Sequence, residues 1–146
     1  TTAGGPDYVP PSQEAISLFL STNGSPRELI RKKLGLAFTE SYLQGDEVER
    51  LIDLRLANPQ PRHAYLAQMA AAANFNLSDC DHEIQAPCLI AAATDDKMVP
   101  LANAHNLAKK IRNSQLKIYQ GLGHQFFVES SEQFNKDVIE FLTDTS

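Results

Sequence analysis

Apolar positions along the chain follow two different periods. From Ser12 to about Asn74 they recur every three to four residues, the spacing of helices that bury one face. Ser12 can cap a short helix carrying Ala15, Ile16, Phe19 and Leu20, which Asn23-Gly24 stops. Ser25-Pro26-Arg27-Glu28 is a strong helix start, because Ser25 can accept from the third helical amide, Pro26 suits the first position and Glu28 can return the bond. The spacing places Leu29, Ile30 and Leu34 inward, leaves Arg31, Lys32 and Lys33 on a wet face and ends the helix at Gly35. Leu36 to Leu43 predicts a further short helix or turn, broken by Gly45. Asp46-Glu47-Val48-Glu49 is a second capping pattern, ahead of Val48, Leu51, Ile52 and Leu56 at helical spacing. Asn58-Pro59-Gln60-Pro61 ends that helix, and Pro61 opens an alanine-rich one with Tyr65, Met69 and Ala72, running to about Asn74.

After about Asp79 the pattern becomes strand, helix, strand, helix. Cys88 to Ala93 is a short unbroken apolar run, as expected of a buried parallel strand. A helix follows with Ala104, Leu107, Ala108 and Ile111 on one face, then an alternating strand from Leu116 to Tyr119. The last helix is predicted to start at Ser130, with Gln133 in capping-box position and Phe134, Val138, Phe141 and Leu142 buried. Such a βαβα unit makes parallel strands joined by a right-handed crossover.

Composition narrows the class. At 146 residues, 42% hydrophobic and 21% charged, the chain is one ordinary globular domain's worth. A net charge of −5 argues against a nucleic-acid partner, which calls for a basic face. No apolar run approaches the ~20 residues that span a bilayer, so no membrane partner is expected. Cys80 and Cys88 read as reduced thiols, which makes the cytoplasm the expected compartment. Thr1 to Pro11, with three prolines and two glycines, is loop chemistry and reads as a chain caught in mid-course.

The chemistry-bearing stretch is Gln120-Gly121-Leu122-Gly123-His124-Gln125-Phe126-Phe127, a histidine straight after a Gly-x-Gly turn at a strand end. The other strand run ends at Thr94-Asp95-Asp96, so two strand ends present an imidazole and a carboxylate. Other signals are weaker. Asp79-Cys80-Asp81-His82 has metal-type ligands, but adjacent residues seldom converge on one ion, and no metal is expected. Gly121-Leu122-Gly123 lacks the third glycine of a dinucleotide loop, and no cofactor is expected. His63 and His105 read as solvated.

Taken together, Ile84 to Pro100 resembles the acid segment of the α/β-hydrolase family, and Gly121-Leu122-Gly123-His124 resembles its catalytic-histidine segment. Phe134-Asn135 and Val138 to Leu142 are similar to its final helix. The helices before Asp79, Leu56 to Pro59 and Tyr65 to Ala73 especially, resemble the caps of its enol-lactonase and esterase branch. Two departures stand out. Ala93 replaces a glycine, and no G-x-S-x-G nucleophile pentapeptide occurs in the chain.

The resemblance implies an α/β fold in which a C-terminal βαβα part follows an all-helical cap, with the nucleophile half absent. Residues 1–11 would enter the cap, 12–78 form it and 79–146 belong to the core. The implied activity is hydrolysis of carboxylic ester or lactone bonds, with Asp96 as acid and His124 as base, and none from the chain alone. The family's spacing to Val99-Pro100 favours Asp96 over Asp95. Met98 and Val99 follow the acid and read equally as pocket lining or ordinary packing; Phe126 and Phe127 read as core before pocket wall. Two strands make a poor sheet with open edges, so self-association or pairing with an N-terminal half is expected. The alternative is a non-catalytic module that binds a small molecule or another copy of itself.

Overall fold

The computed structural model describes residues 2, 4–80 and 83–144. Among these residues five helices come first: α1 (Gln13–Leu20), α2 (Pro26–Ala37), α3 (Glu40–Leu43), α4 (Glu47–Ala57) and α5 (Arg62–Asn74). Then follow β1 (Cys88–Ala93), α6 (Ala102–Lys110), β2 (Ser114–Tyr119), α7 (Phe126–Glu129) and α8 (Ser131–Asp144). β1 and β2 pair in parallel, from Cys88 opposite Ser114 to Ala93 opposite Tyr119.

The helix starts largely follow local chemistry. Ser12 Oγ accepts from the Ala15 amide at 3.1 Å, and Ser25 and Glu28 close a full capping box on α2. Three expectations are corrected. α2 does not stop at Gly35 but continues to Ala37, because Leu34, Leu36 and Ala37 are all buried. Burying a leucine is worth about 1.5–3 kcal/mol, more than the ~1 kcal/mol a mid-helix glycine costs. Asp46 makes no capping bond, since its backbone is already helical. Gln133 does not reach back to a cap: its Nε2 donates to Asp137 Oδ1 at 2.9 Å.

Three apolar clusters hold the described residues together. Leu34, Ala37, Phe38, Val48 and Ile52 join α2 to α4, and Met98, from the segment after β1, packs against them. Ile90, Ala92, Ala104, Leu107 and Ile111 join β1 to α6. Ala93, Tyr119 and Phe126 meet at the strand ends, with Phe134 of α8 packed on them. The N-terminal loop is tied to α6 by Asn103, which is 2% exposed. Its Oδ1 accepts from the Val9 amide at 2.9 Å and its Nδ2 donates to the Val9 carbonyl at 2.8 Å.

Burial on α8 departs from the pattern. Leu142 is 57% exposed and Ile139 64%, whereas the buried residue on α8 is Asp137. β2 offers this helix Lys117 and Tyr119, whose Nζ and Oη both donate to the Asp137 carboxylate. Lys33 is also not simply wet. Its Nζ donates to the Phe19 carbonyl at 2.9 Å and lies 4.9 Å from the Tyr65 ring centre, linking α1, α2 and α5. Arg31 fits the wet face better, pairing with Glu49 at the surface.

Candidate active site

The two strand ends are laced together before any side-chain chemistry begins. Thr94 N–H donates to the Tyr119 carbonyl at 3.1 Å and Asp95 N–H to the Leu122 carbonyl at 3.1 Å. Gly121 N–H donates to Thr94 Oγ1 at 2.8 Å. The two glycines of the turn serve different needs. Gly121 has φ +68° with open space around it, so the requirement is the left-handed backbone. Gly123 needs room: a Cβ there would stand 2.8 Å from the Ala37 carbonyl oxygen.

This lacing brings His124 onto Asp96. Nδ1 of the imidazole lies 2.8 Å from Asp96 Oδ2. The Asp96 side chain is 6% exposed and that of His124 30%. Asp96 Oδ1 accepts from the amides of Met98 and Val99, both at 2.8 Å. Burial alone raises the Asp96 pKa. The His124 hydrogen bond, then the Val99 amide, the imidazole charge and the Met98 amide outweigh it and hold the carboxyl below its usual range. At neutral pH this carboxylate is ionised and can only accept, so Nδ1 carries the proton. In the neutral imidazole Nε2 then keeps its lone pair, and it makes no hydrogen bond among the described residues. Asp95, the neighbouring acid, is exposed and accepts from Thr94 Oγ1 instead.

The other sequence-derived candidates lie around this pair in different ways. Val99 contributes its amide to Asp96. Met98 gives its amide too, while its side chain packs on the α2–α4 cluster. Phe126 is 8% exposed and stacked on Tyr119 at 4.7 Å, so it is core. Phe127, 44% exposed, is not. An open groove of about 350 Å³ runs beside the strand ends, lined by Thr39, Ser41, Asp95, Lys97, Gly121 and Gly123 among others. Met98, Val99 and Phe126 are not in its wall. Asp81 and His82 of the metal-type cluster lie outside the described residues, and the described ones hold no group of three or more His, Cys, Asp or Glu placed for a metal.

One residue beside the histidine escaped the sequence reading. Glu129 accepts the Gly123 amide on Oε1 at 3.1 Å, and the Thr39 amide on Oε2 at 3.2 Å. Its sequence signal is a lone carboxylate closing the apolar run Phe126-Phe127-Val128, five residues after His124.

Comparison with known proteins agrees with this architecture. A family described as serine aminopeptidase, S33, matches residues 12–131. A 2-hydroxy-6-oxononadienedioate/2-hydroxy-6-oxononatrienedioate hydrolase of Pseudomonas putida is 32% identical over 97% of the chain and 51% of its own length. Its counterpart in Burkholderia vietnamiensis is 30% identical over 97% of the chain and 50% of its own length. Among solved structures, a meta-cleavage product hydrolase from Pseudomonas fluorescens superposes with a TM-score of 0.77 at 22% identity, covering 99% of this chain and 55% of that one. An esterase from a Rhodococcus species gives 0.73 at 20% identity, covering 100% and 54%. The chain spans about half the length of the curated relatives it matches. With the family match covering most of its residues, this chain belongs to the α/β-hydrolase family.

Proposed function

We propose that this chain supplies the acid and the base of a serine-type α/β-hydrolase acting on carboxylic ester or lactone bonds. The observation that carries the reading is the 2.8 Å contact from His124 Nδ1 to an Asp96 carboxylate fixed by two backbone amides. In this reading the lone pair on Nε2 takes the proton of a serine hydroxyl as it attacks the carbonyl carbon. The imidazolium so formed rests against Asp96 and returns the proton to the leaving oxygen. Residues 12–78 act as a cap and 79–146 as the core segment carrying both groups.

The serine and the oxyanion-hole amides come from residues outside these 146, since G-x-S-x-G does not occur among them. The relatives' names favour a second substrate class, a 2-hydroxy-6-oxo-dienedioate, which the same acid and base would serve. Pairing with a segment that carries them, or with a second copy, is supported by the β1 edge that is left open among the described residues and by exposed Leu54 and Ile139. No helix among the described residues is long and apolar enough to cross a membrane. Free Cys80 and Cys88 suit the reducing cytoplasm proposed as its compartment.

The test is complementation. Alone, the 16.1 kDa chain should hydrolyse an activated ester no faster than its His124→Ala variant. Mixed with the unmatched half of a relative, it should co-elute with that half and gain turnover. Clear turnover by the pure chain, lost in His124→Ala, would overturn the need for a partner. Co-elution without turnover on either an ester or a dienedioate would favour the non-catalytic binding module.

A further inference from the structure

We infer that Glu129 is a positioning residue for His124, clasping the histidine turn to the junction between α2 and α3. The inference rests on the reading of His124 as the base, but its geometry stands apart from the acid already described. Asp96 holds the ring; nothing in that contact fixes the backbone that presents it.

That backbone is gripped on both sides of His124. Before it, Gly123 N–H donates to Glu129 Oε1 at 3.1 Å. After it, Gln125 N–H donates to the Ala37 carbonyl at 2.8 Å, satisfying one of the carbonyls that the end of α2 leaves without a helical partner. The two grips share an anchor. Thr39, two residues beyond Ala37, donates both its amide, at 3.2 Å, and its hydroxyl to Glu129 Oε2. Each Glu129 oxygen is thus used, one on the histidine turn and one on the helical segment. Gly123 lies so close to Ala37 that a Cβ would stand 2.8 Å from its carbonyl oxygen. A shift of the α2–α3 junction is therefore transmitted to the turn, and the clasp couples the placement of the helices to the aim of the imidazole. A charged carboxylate bridging three donors is well suited to this, since such bonds are about twice as strong as neutral ones.

Glu129→Gln puts an NH₂ where one oxygen now accepts, so it must fail at one end of the clasp. Thr39→Val removes the hydroxyl at nearly constant shape, and Thr39→Ser restores it. The readout is the Nδ1 proton of His124, followed by NMR in the ¹⁵N-histidine-labelled full chain and identified by its loss in His124→Gln. In the unaltered chain and in Thr39→Ser it should exchange slowly with water. In Glu129→Gln and Thr39→Val its exchange should speed up by about tenfold or more, the factor carried by one hydrogen bond to a charged group. Ser25→Ala removes the α2 cap and lowers stability without touching the clasp, so it should leave the exchange rate within about twofold. No slowly exchanging proton in the unaltered chain, or equal rates in Thr39→Val and Thr39→Ser, would overturn the inference. Failure of complementation with this signal intact would instead count against the catalytic reading alone.

Discussion

In the complemented enzyme, Asp96→Asn should lower kcat by about 10⁴, the loss seen for the same change in a serine protease triad. Asp95→Asn should lower it far less, because that carboxylate accepts from Thr94 Oγ1 and not from His124. The contrast follows from which oxygen is already committed. Asp96 Oδ1 accepts two amide protons, from Met98 and Val99. In the asparagine variant only the amide oxygen can stay there, because an NH₂ would face two N–H groups. The NH₂ must then turn toward His124 Nδ1, 2.8 Å from Oδ2 in the unaltered chain. A donor at that place favours the tautomer with the lone pair on Nδ1 and the proton on Nε2, which can no longer accept from a serine. The fold should be unharmed, since both amides keep their acceptor. Steady-state kinetics on an activated ester, with both variants paired to the same partner segment, decide the matter. Comparable losses from the two variants, or an unaffected Asp96→Asn, would remove Asp96 from the proposed mechanism.

How much of this was legible in the sequence depends on the range of the interaction involved. The α2 capping box spans the four residues Ser25 to Glu28 and its chemistry is local, so Ser25 and Glu28 announce it. The parallel pairing of Cys88–Ala93 with Ser114–Tyr119 follows from an apolar run, a helical stretch and an alternating run in that order. Asp46 reads as a cap by residue type, but capping also needs an extended backbone, and the turn at Gly45 supplies a helical one. Gly35 reads as a stop because the cluster that carries α2 past it includes Val48 and Ile52, from another helix. The same reach explains the candidate site. Asp96 and His124 stand at recognisable strand ends, whereas Glu129 acts through Thr39, 90 residues away. No periodicity could reveal that link, and the α7 turn that delivers it is four residues long.

Asp137 is the sharpest of these surprises and carries the largest expected effect on stability. It is 6% exposed, and its carboxylate accepts from Lys117 Nζ at 2.9 Å, Gln133 Nε2 at 2.9 Å and Tyr119 Oη at 2.8 Å. The Lys117 bond, against burial and helped by Tyr119 and Gln133, holds the Asp137 carboxyl below its ordinary range. Burial, then the neighbouring carboxylate, pushes the Tyr119 phenol far above its own. Asp137→Ala should therefore destabilise the chain by about 1–3 kcal/mol. Lys117, with its side chain 46% exposed, recovers water, but the Tyr119 hydroxyl is left buried without its acceptor. The effect should depend on pH with a definite sign. A carboxyl whose folded pKa is depressed contributes stability above its unfolded value near 3.9, and loses it as the pH falls through the lower folded value. Urea unfolding followed by circular dichroism should show the unaltered chain weakening steeply below about pH 4, with Asp137→Asn less stable at pH 7 and its decline on acidification shallower. The decline should not vanish, because Asp96 is depressed in the same direction. Parallel curves for the two chains would mean that the Lys117–Asp137–Tyr119 network is not what fastens α8 to β2.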